Sequence, residues 1–285
     1  MSSPILAAGK SVKIIVGLFN MMFGQKMQIE SISQQFFRVF VSMTLVLLGL
    51  SLPPIAKADS VHVAVAANMQ FAFEELKDEF KKQSGHDLKG VFNSSGKFVN
   101  QIKNGAPFDV FMSADMDYPT VLFHEGFSDA PPKIYAYGAI VLWSNKFKDL
   151  RGWQAIIQDP KIQKIAIANP KIAPYGREAL KTLKHFKLDS IVAPRLVYAE
   201  SISQVNQYIY SGLVDLGFTA KSVVLSTEMQ GKGVWLELPK ESYTPIAQGV
   251  IVLKHGRENA GNVSKQFYDF LSTAKAKEIL QKKKK

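Results

Sequence analysis

The stretch VAVAANMQFAFEELKDEF, residues 63–80, decides the fold class. Residues 61–66 form a short apolar run rich in Val and Ala, which predicts a buried β-strand. Residues 71–83 predict an amphipathic helix, because apolar side chains recur on one face between Lys and Glu: Phe73, Leu76 and Phe80. Gly85 follows where the helix should end. A strand that passes through a small polar break into a helix is the repeating unit of α/β proteins.

The same unit recurs along the chain. Further strands are predicted at residues 88–92, 110–112, 140–143, 165–168, 196–198, 216–219 and 246–253, and further helices at residues 98–103, 117–125, 176–185, 203–211, 222–228 and 264–281. Short links between alternating strands and helices predict mostly parallel sheets flanked by helices. Two successive units of this kind predict two lobes, one from residues 59–138 plus 246–285 and the other from residues 139–245. We expect two extended crossover strands to join them, near residues 137–140 and near residues 244–249.

The N-terminal part has the pattern of a secretory signal. Residues 39–52 carry no charge, follow Arg38, and are followed by Ala-Lys-Ala at residues 56–58. A basic flank, an apolar stretch of about 14 residues and a small-x-small site are typical of a cleaved signal peptide, whereas a spanning helix needs about 20 residues. Residues 1–58 are therefore interpreted as an N-terminal extension and signal peptide. The alternative is an uncleaved membrane tether.

Charge and cysteine content exclude several classes. The 285 residues carry a net charge of +11, but the basic residues are dispersed, and four of them are the terminal Lys282–Lys285. Nucleic-acid-binding proteins cluster Lys and Arg on one face, so a nucleic-acid partner is not expected. The chain has no cysteine, which excludes thiol catalysis, disulfides and thiolate metal sites.

Small or polar residues stand at four predicted strand ends. They are Ala67-Asn68, Ser94-Ser95-Gly96, Pro174-Tyr175-Gly176 and Ser201-Ile202-Ser203. Ligands of open parallel sheets bind beyond the carboxyl ends of the strands, where helix N-termini present free N–H groups to an anion. Each segment taken alone could be an ordinary helix cap. Together they predict an anion site built from neutral donors.

Four blocks of sequence carry a family resemblance: residues 63–80 above, VFNSSGKFVNQIKNGAPFDVFMSAD (91–115), IANPKIAPYGREAL (167–180) and ESISQVNQYIYSGLVDLGFTAKS (200–222). They resemble the periplasmic molybdate-binding proteins of bacterial ABC importers, over nearly the whole chain after residue 60. The resemblance implies a two-lobed, type II periplasmic binding fold. It also implies a periplasmic, monomeric protein that captures molybdate or tungstate and delivers it to a membrane permease.

The resemblance also implies a set of ligand contacts. By position they are Asn68, Ala67 and Ser95 in one lobe and Tyr175 and Ile202 in the other, which would contact the oxygens of the anion rather than coordinate a bare metal ion. Ala220 stands where some members have a further tyrosine contact. No catalytic residue and no cofactor are implied. The alternative is the same fold binding sulfate, phosphate or another small anion.

Enzymatic alternatives lack their motifs. No G-x-S-x-G nucleophile turn occurs, and no His pair has metal-ligand spacing. Asp115 and Asp117 are interpreted as helix-capping residues rather than as metal ligands. Ser95-Gly96-Lys97 lacks the upstream glycine of a phosphate-binding loop, and Phe98 stands where Ser or Thr is needed.

Overall fold

The computed structural model describes residues 60–281. The predicted signal peptide and the terminal Lys282–Lys285 lie outside these residues, and the structure does not test them. Within the described range, none of the helices combines the length and the apolar character needed to cross a membrane.

Ten strands form two five-stranded sheets. The first contains β1 (Val61–Ala66), β2 (Leu88–Asn93), β3 (Val110–Met112), β4 (Lys133–Gly138) and β10 (Ile246–Val252). The second contains β5 (Ile140–Ser144), β6 (Ile165–Ala168), β7 (Leu196–Ala199), β8 (Leu216–Ala220) and β9 (Val234–Glu237).

Eleven helices connect and cover the strands within the described residues. They are α1 (Gln70–Ser84), α2 (Ser95–Lys103), α3 (Asp117–His124), α4 (Trp153–Gln158), α5 (Pro174–His185), α6 (Asp189–Val192), α7 (Ile202–Tyr210), α8 (Lys221–Val224), α9 (Lys254–Asn259), α10 (Val263–Phe270) and α11 (Ala274–Leu280). Short 3₁₀ turns add to them, of which Ala67–Met69 between β1 and α1 matters for the site.

Both sheets have the same topology. Their orders are β2-β1-β3-β10-β4 and β7-β6-β8-β5-β9. In each, three neighbouring strands run parallel, and the fourth, β10 or β5, runs antiparallel to both of its neighbours. The antiparallel strand is the one that enters from the other sheet. The predicted α/β class and the mostly parallel sheets are therefore confirmed.

Each sheet lies between helix layers, which explains why its central strands are mostly apolar. In β1, Val61, Val63 and Val65 pack on one side with Phe73 of α1, while Ala64 packs on the other side. A strand buried on both faces needs apolar residues at every position, not at alternate ones. The second sheet has its own continuous core, which includes Trp143 and Phe218.

The structure corrects several predicted boundaries. Helices α2, α5 and α7 begin at Ser95, Pro174 and Ile202, up to three residues earlier than predicted, so the polar strand-end segments lie inside the first helical turns. Proline at the first helical position costs no hydrogen bond, which is why the helix can begin at Pro174. The helix predicted at residues 222–228 is shorter, because it ends at Val224 and a 3₁₀ turn follows.

The sequence pattern predicts only the end of β4 and does not predict β9. The crossover was expected near residues 137–140, but β4 begins at Lys133. Both strands are at sheet edges and are only partly buried, so they lack the continuous buried apolar run that predicts the central strands.

Candidate functional site

A small cavity lies where the carboxyl ends of strands from both sheets face each other. Its lining is Ala66, Ala67, Asn68, Asn93, Ser94, Ser95, Ala114, Ala173, Pro174, Tyr175 and Ile202. All five residues predicted from the sequence are among them. None of the lining residues carries a charge, so the polar groups available to a ligand are neutral.

Asn68 and Ser95 come from the first sheet's side of the cavity. Asn68 lies in the 3₁₀ turn that follows β1 and is 2% exposed. Ser95 is the first residue of α2 and is fully buried. Its Oγ accepts a hydrogen bond from the Ala114 N–H at 2.9 Å. Since that bond uses only a lone pair, the Ser95 hydroxyl hydrogen remains available to an acceptor in the cavity.

Ser94 is a further hydroxyl at this edge. Its backbone is at the N-cap position of α2, but its side chain makes no capping hydrogen bond. The Ser94 Oγ is buried and has no hydrogen-bond partner among the described residues. A buried hydroxyl without a partner costs free energy, so its presence beside the cavity is consistent with a donor kept for a ligand.

Tyr175 and Ile202 come from the second sheet's side. Tyr175 lies in the first turn of α5. Burial raises the pKa of its phenol, and nearby Tyr243 raises it further. A hydrogen bond with Asn68 lowers the pKa but does not offset the rise. The phenol is therefore neutral and can donate its proton to an acceptor. Ile202 is the first residue of α7, where the backbone N–H has no partner within the helix.

Gly176 allows α5 to come this close to the strand end. A Cβ at residue 176 would lie 1.9 Å from the Ala168 carbonyl oxygen at the end of β6. Any side chain would therefore push the first turn of α5, and Tyr175 with it, away from the cavity. A close approach of backbone to backbone is a common reason for glycine at such a position.

The two sides are in contact around the cavity. The Gly96 N–H donates to the Ile172 carbonyl oxygen at 2.9 Å. The Ser222 hydroxyl donates to the Asn68 carbonyl oxygen at 2.8 Å. The Ser203 hydroxyl lies 2.9 Å from Oε1 of Gln70. These contacts join α2 to the loop before α5, α8 to the 3₁₀ turn after β1, and α7 to the first turn of α1.

An ion pair between Arg177 and Asp115 also bridges the two sides. Burial raises the pKa of the Asp115 carboxyl, although hydrogen bonds from the Tyr118 N–H and Ser113 and the charge of Arg177 oppose that rise. The Tyr118 N–H bond, 3.2 Å long, agrees with the predicted capping role of Asp115. Arg177 is held by Asp115 and does not line the cavity.

Sequence reasoning missed several lining residues. Ala114 follows β3, so the strand-end rule that identified Ala67 could have identified it as well. Ser94 was noted only as part of a capping segment. In the described part of the chain, no group of three or more His, Asp or Glu side chains could hold a metal ion.

Comparison with known proteins places the chain in a family. The family model for bacterial extracellular solute-binding proteins matches residues 61–283. The molybdate-binding protein ModA of Rhodobacter capsulatus is 37% identical over 236 residues, which cover 82% of this chain and 90% of that protein. ModA of Azotobacter vinelandii is 35% identical over 227 residues, which cover 79% of this chain and 89% of that protein.

A solved structure gives the same result. The Azotobacter vinelandii periplasmic molybdate-binding protein aligns with a TM-score of 0.72 and 34% identity, over 78% of this chain and 96% of that one. The resemblance inferred from the sequence is thus confirmed, and these relatives are binding proteins rather than enzymes. The chain belongs to the family of bacterial extracellular solute-binding proteins.

Proposed function

We propose that this protein is an exported binding protein that captures molybdate or tungstate between two lobes and delivers it to an ABC importer. The observation that carries the proposal is the cavity itself. Five residues chosen from the sequence, Asn68, Ala67, Ser95, Tyr175 and Ile202, line one small space, and every lining group is neutral.

The proposed contacts follow from the free donors. The Ser95 and Tyr175 hydroxyls and the Ile202 N–H can each donate to an oxygen of the anion, and Asn68 and the Ala67 backbone contribute beside them. Ser94 is added to this set because its hydroxyl has no partner among the described residues. Hydrogen bonds to an anion are shorter and stronger than those between neutral groups, and helix N-termini add partial positive charge.

Neutral donors suit a protein that must release its ligand. A dianion enclosed by dipoles from two lobes loses the contacts of one lobe when the lobes separate. We propose that the lobes are residues 59–138 plus 246–285 and residues 139–245, in agreement with the sheet to which each strand belongs. We further propose that the protein is periplasmic, monomeric and free of cofactors and nucleic acid, with the importer's permease as its partner.

Calorimetric titration tests the ligand. The protein without residues 1–58 is titrated with molybdate, tungstate, sulfate and phosphate. We expect tight binding of molybdate and tungstate and much weaker binding of the two smaller anions, because donors fixed at the radius of a large oxyanion leave a smaller one under-coordinated. Tight sulfate or phosphate binding without a molybdate response would instead favour the alternative ligand class.

A further inference from the structure

Beneath the cavity, Asn68 belongs to a buried chain of polar side chains. Its Nδ2 donates to Oε1 of Gln248 at 2.6 Å. The Tyr135 hydroxyl lies 3.4 Å from the same Oε1 and 3.2 Å from the Ser113 carbonyl oxygen. Gln248 is 2% exposed, lies on β10 and does not line the cavity.

An irregularity in the first sheet brings Tyr135 and Gln248 together. Along β10 and β4, Gln248 is opposite Ala136, but the next residue, Gly249, is opposite Ile134. Strand β4 therefore has one extra residue, Tyr135, at this step. A bulge of this kind redirects a side chain, and here the Tyr135 hydroxyl reaches the Gln248 amide.

The hydrogen bond to Gln248 fixes the orientation of the Asn68 amide, and an N–H of the same amide reaches the hydroxyl of Tyr175 in the cavity lining. The oxygen and nitrogen ends of an amide are alike in shape, so only their partners select the orientation. The Gln248 oxygen is held in this place because it also accepts from the Tyr135 hydroxyl. If the Asn68 amide alone were flipped, its carbonyl oxygen would face the Gln248 carbonyl oxygen, and two acceptors would meet in a buried place. Such a contact leaves both oxygens unsatisfied and is costly.

We infer that Gln248 is a positioning residue that makes Asn68 present N–H, rather than a carbonyl oxygen, towards the bound oxyanion. The inference rests on the proposed function, since only an anion requires a donor at this position. Gln248 acts through Asn68 and does not touch the ligand. A site whose donor is held in place before the ligand arrives binds more tightly, because no reorientation is needed on binding.

A double-mutant cycle tests the inference by calorimetry with molybdate. The variants are Gln248→Met, Asn68→Ala and the pair together. Methionine keeps the length of the side chain and removes the acceptor. We expect Gln248→Met to weaken molybdate binding about tenfold in the native background, which corresponds to the loss of one typical hydrogen bond. In the Asn68→Ala background we expect less than a twofold effect, because there is no amide left to orient.

The cycle separates positioning from general disruption. A loss of affinity that is equal in both backgrounds would mean that Gln248 supports the fold and does not act through Asn68, which overturns the inference. An unchanged affinity in Gln248→Met overturns it as well. Gln266→Met, at an exposed position on α10, is the matched control and should bind molybdate like the native protein.

A second variant serves if Gln248→Met does not fold. Tyr135→Phe keeps Gln248 and removes only the hydroxyl near its Oε1. We expect Tyr135→Phe to weaken molybdate binding about threefold in the native background and to leave it unchanged in the Asn68→Ala background. Equal effects in both backgrounds, or none, count against the inference. If the native protein itself binds no molybdate, the proposed function fails. If the native protein binds molybdate but the effects of the two substitutions on affinity simply add, only the positioning role fails.

Discussion

The two serine hydroxyls at the cavity, Ser94 and Ser95, differ in whether they form a hydrogen bond in the ligand-free protein. Ser95 has a partner, the Ala114 N–H, whereas Ser94 has none among the described residues. Removing each hydroxyl should therefore affect stability and affinity differently. This contrast separates a residue that builds the site from one that only serves the ligand.

Ser95→Ala should weaken molybdate binding by about 1–3 kcal/mol, since one charge-assisted hydrogen bond is lost. It should also lower the free energy of unfolding of the ligand-free protein by about 1 kcal/mol, because the Ala114 N–H is left buried without its acceptor. Calorimetry and urea denaturation measure the two effects. Unchanged affinity would remove Ser95 from the proposed site.

Ser94→Ala should weaken molybdate binding by about 1 kcal/mol or more, but leave the free energy of unfolding unchanged or slightly higher. No hydrogen bond to a described residue is lost, and an unsatisfied buried hydroxyl disappears. Ser264→Ala is the matched control, because Ser264 is also fully buried without a described partner but lies on α10, outside the cavity lining. If Ser94→Ala and Ser264→Ala bind molybdate equally well, Ser94 is not a ligand contact.

At the scale of elements, helix α5 links the cavity to the side of the first sheet. Its first turn carries Tyr175 into the cavity, and two residues later along the same helix Arg177 reaches across to Asp115. If the cleft closes as proposed, closure buries the carboxyl of Asp115 together with its counter-ion. Because burial raises the pKa of Asp115 and Arg177 opposes that rise, the pair should determine how closure depends on pH.

Arg177→Ala should weaken molybdate binding at pH 7.5 by about 1–3 kcal/mol, since a partly buried carboxylate loses its counter-ion. Without Arg177 the pKa of Asp115 in the closed form should rise further above its value in an open form. A carboxyl whose pKa is raised in one form stabilises that form at low pH, and the stabilisation is lost as the pH rises through the raised pKa. The affinity of the variant, relative to the native protein at each pH, should therefore recover between pH 7.5 and pH 5.5.

Calorimetry at both pH values measures this recovery. Arg151→Ala is the control, because Arg151 pairs with Asp149 at the surface, where its side chain is 86% exposed. That variant should bind like the native protein at both pH values. A relative affinity of Arg177→Ala that stays constant or falls towards pH 5.5 would contradict the proposed role of the pair.

At the scale of the whole molecule, the ligand should stabilise the two lobes together. A ligand present at one hundred times its dissociation constant adds about 2.7 kcal/mol to the free energy of unfolding. For a protein of this size, that corresponds to a rise in Tm of roughly 5–10 °C. Thermal unfolding with molybdate should show this rise, and the same concentration of sulfate should not. A larger shift with sulfate would assign the cavity to the smaller anion.

Much of the fold and part of the site could be predicted without coordinates. The strand–helix alternation and the continuous apolar strands follow from local rules, since a parallel strand buried on both faces must be apolar throughout. The strand-end rule brought Asn68, Ser95, Tyr175 and Ile202 together as candidates. Their agreement with the family resemblance turned four possible helix caps into one expected site.

The sequence by itself determined the α/β class and most of the strand and helix order, and it predicted the neutral donors, because these depend on spacing along the chain. Only the tertiary structure decided how the donors are held. Gln248 lies 180 residues after Asn68, and Asp115 lies 62 residues before Arg177. No local pattern connects residues so far apart. The anion site that neutral residues predict at the strand ends is thus completed by contacts that exist only after both sheets have formed.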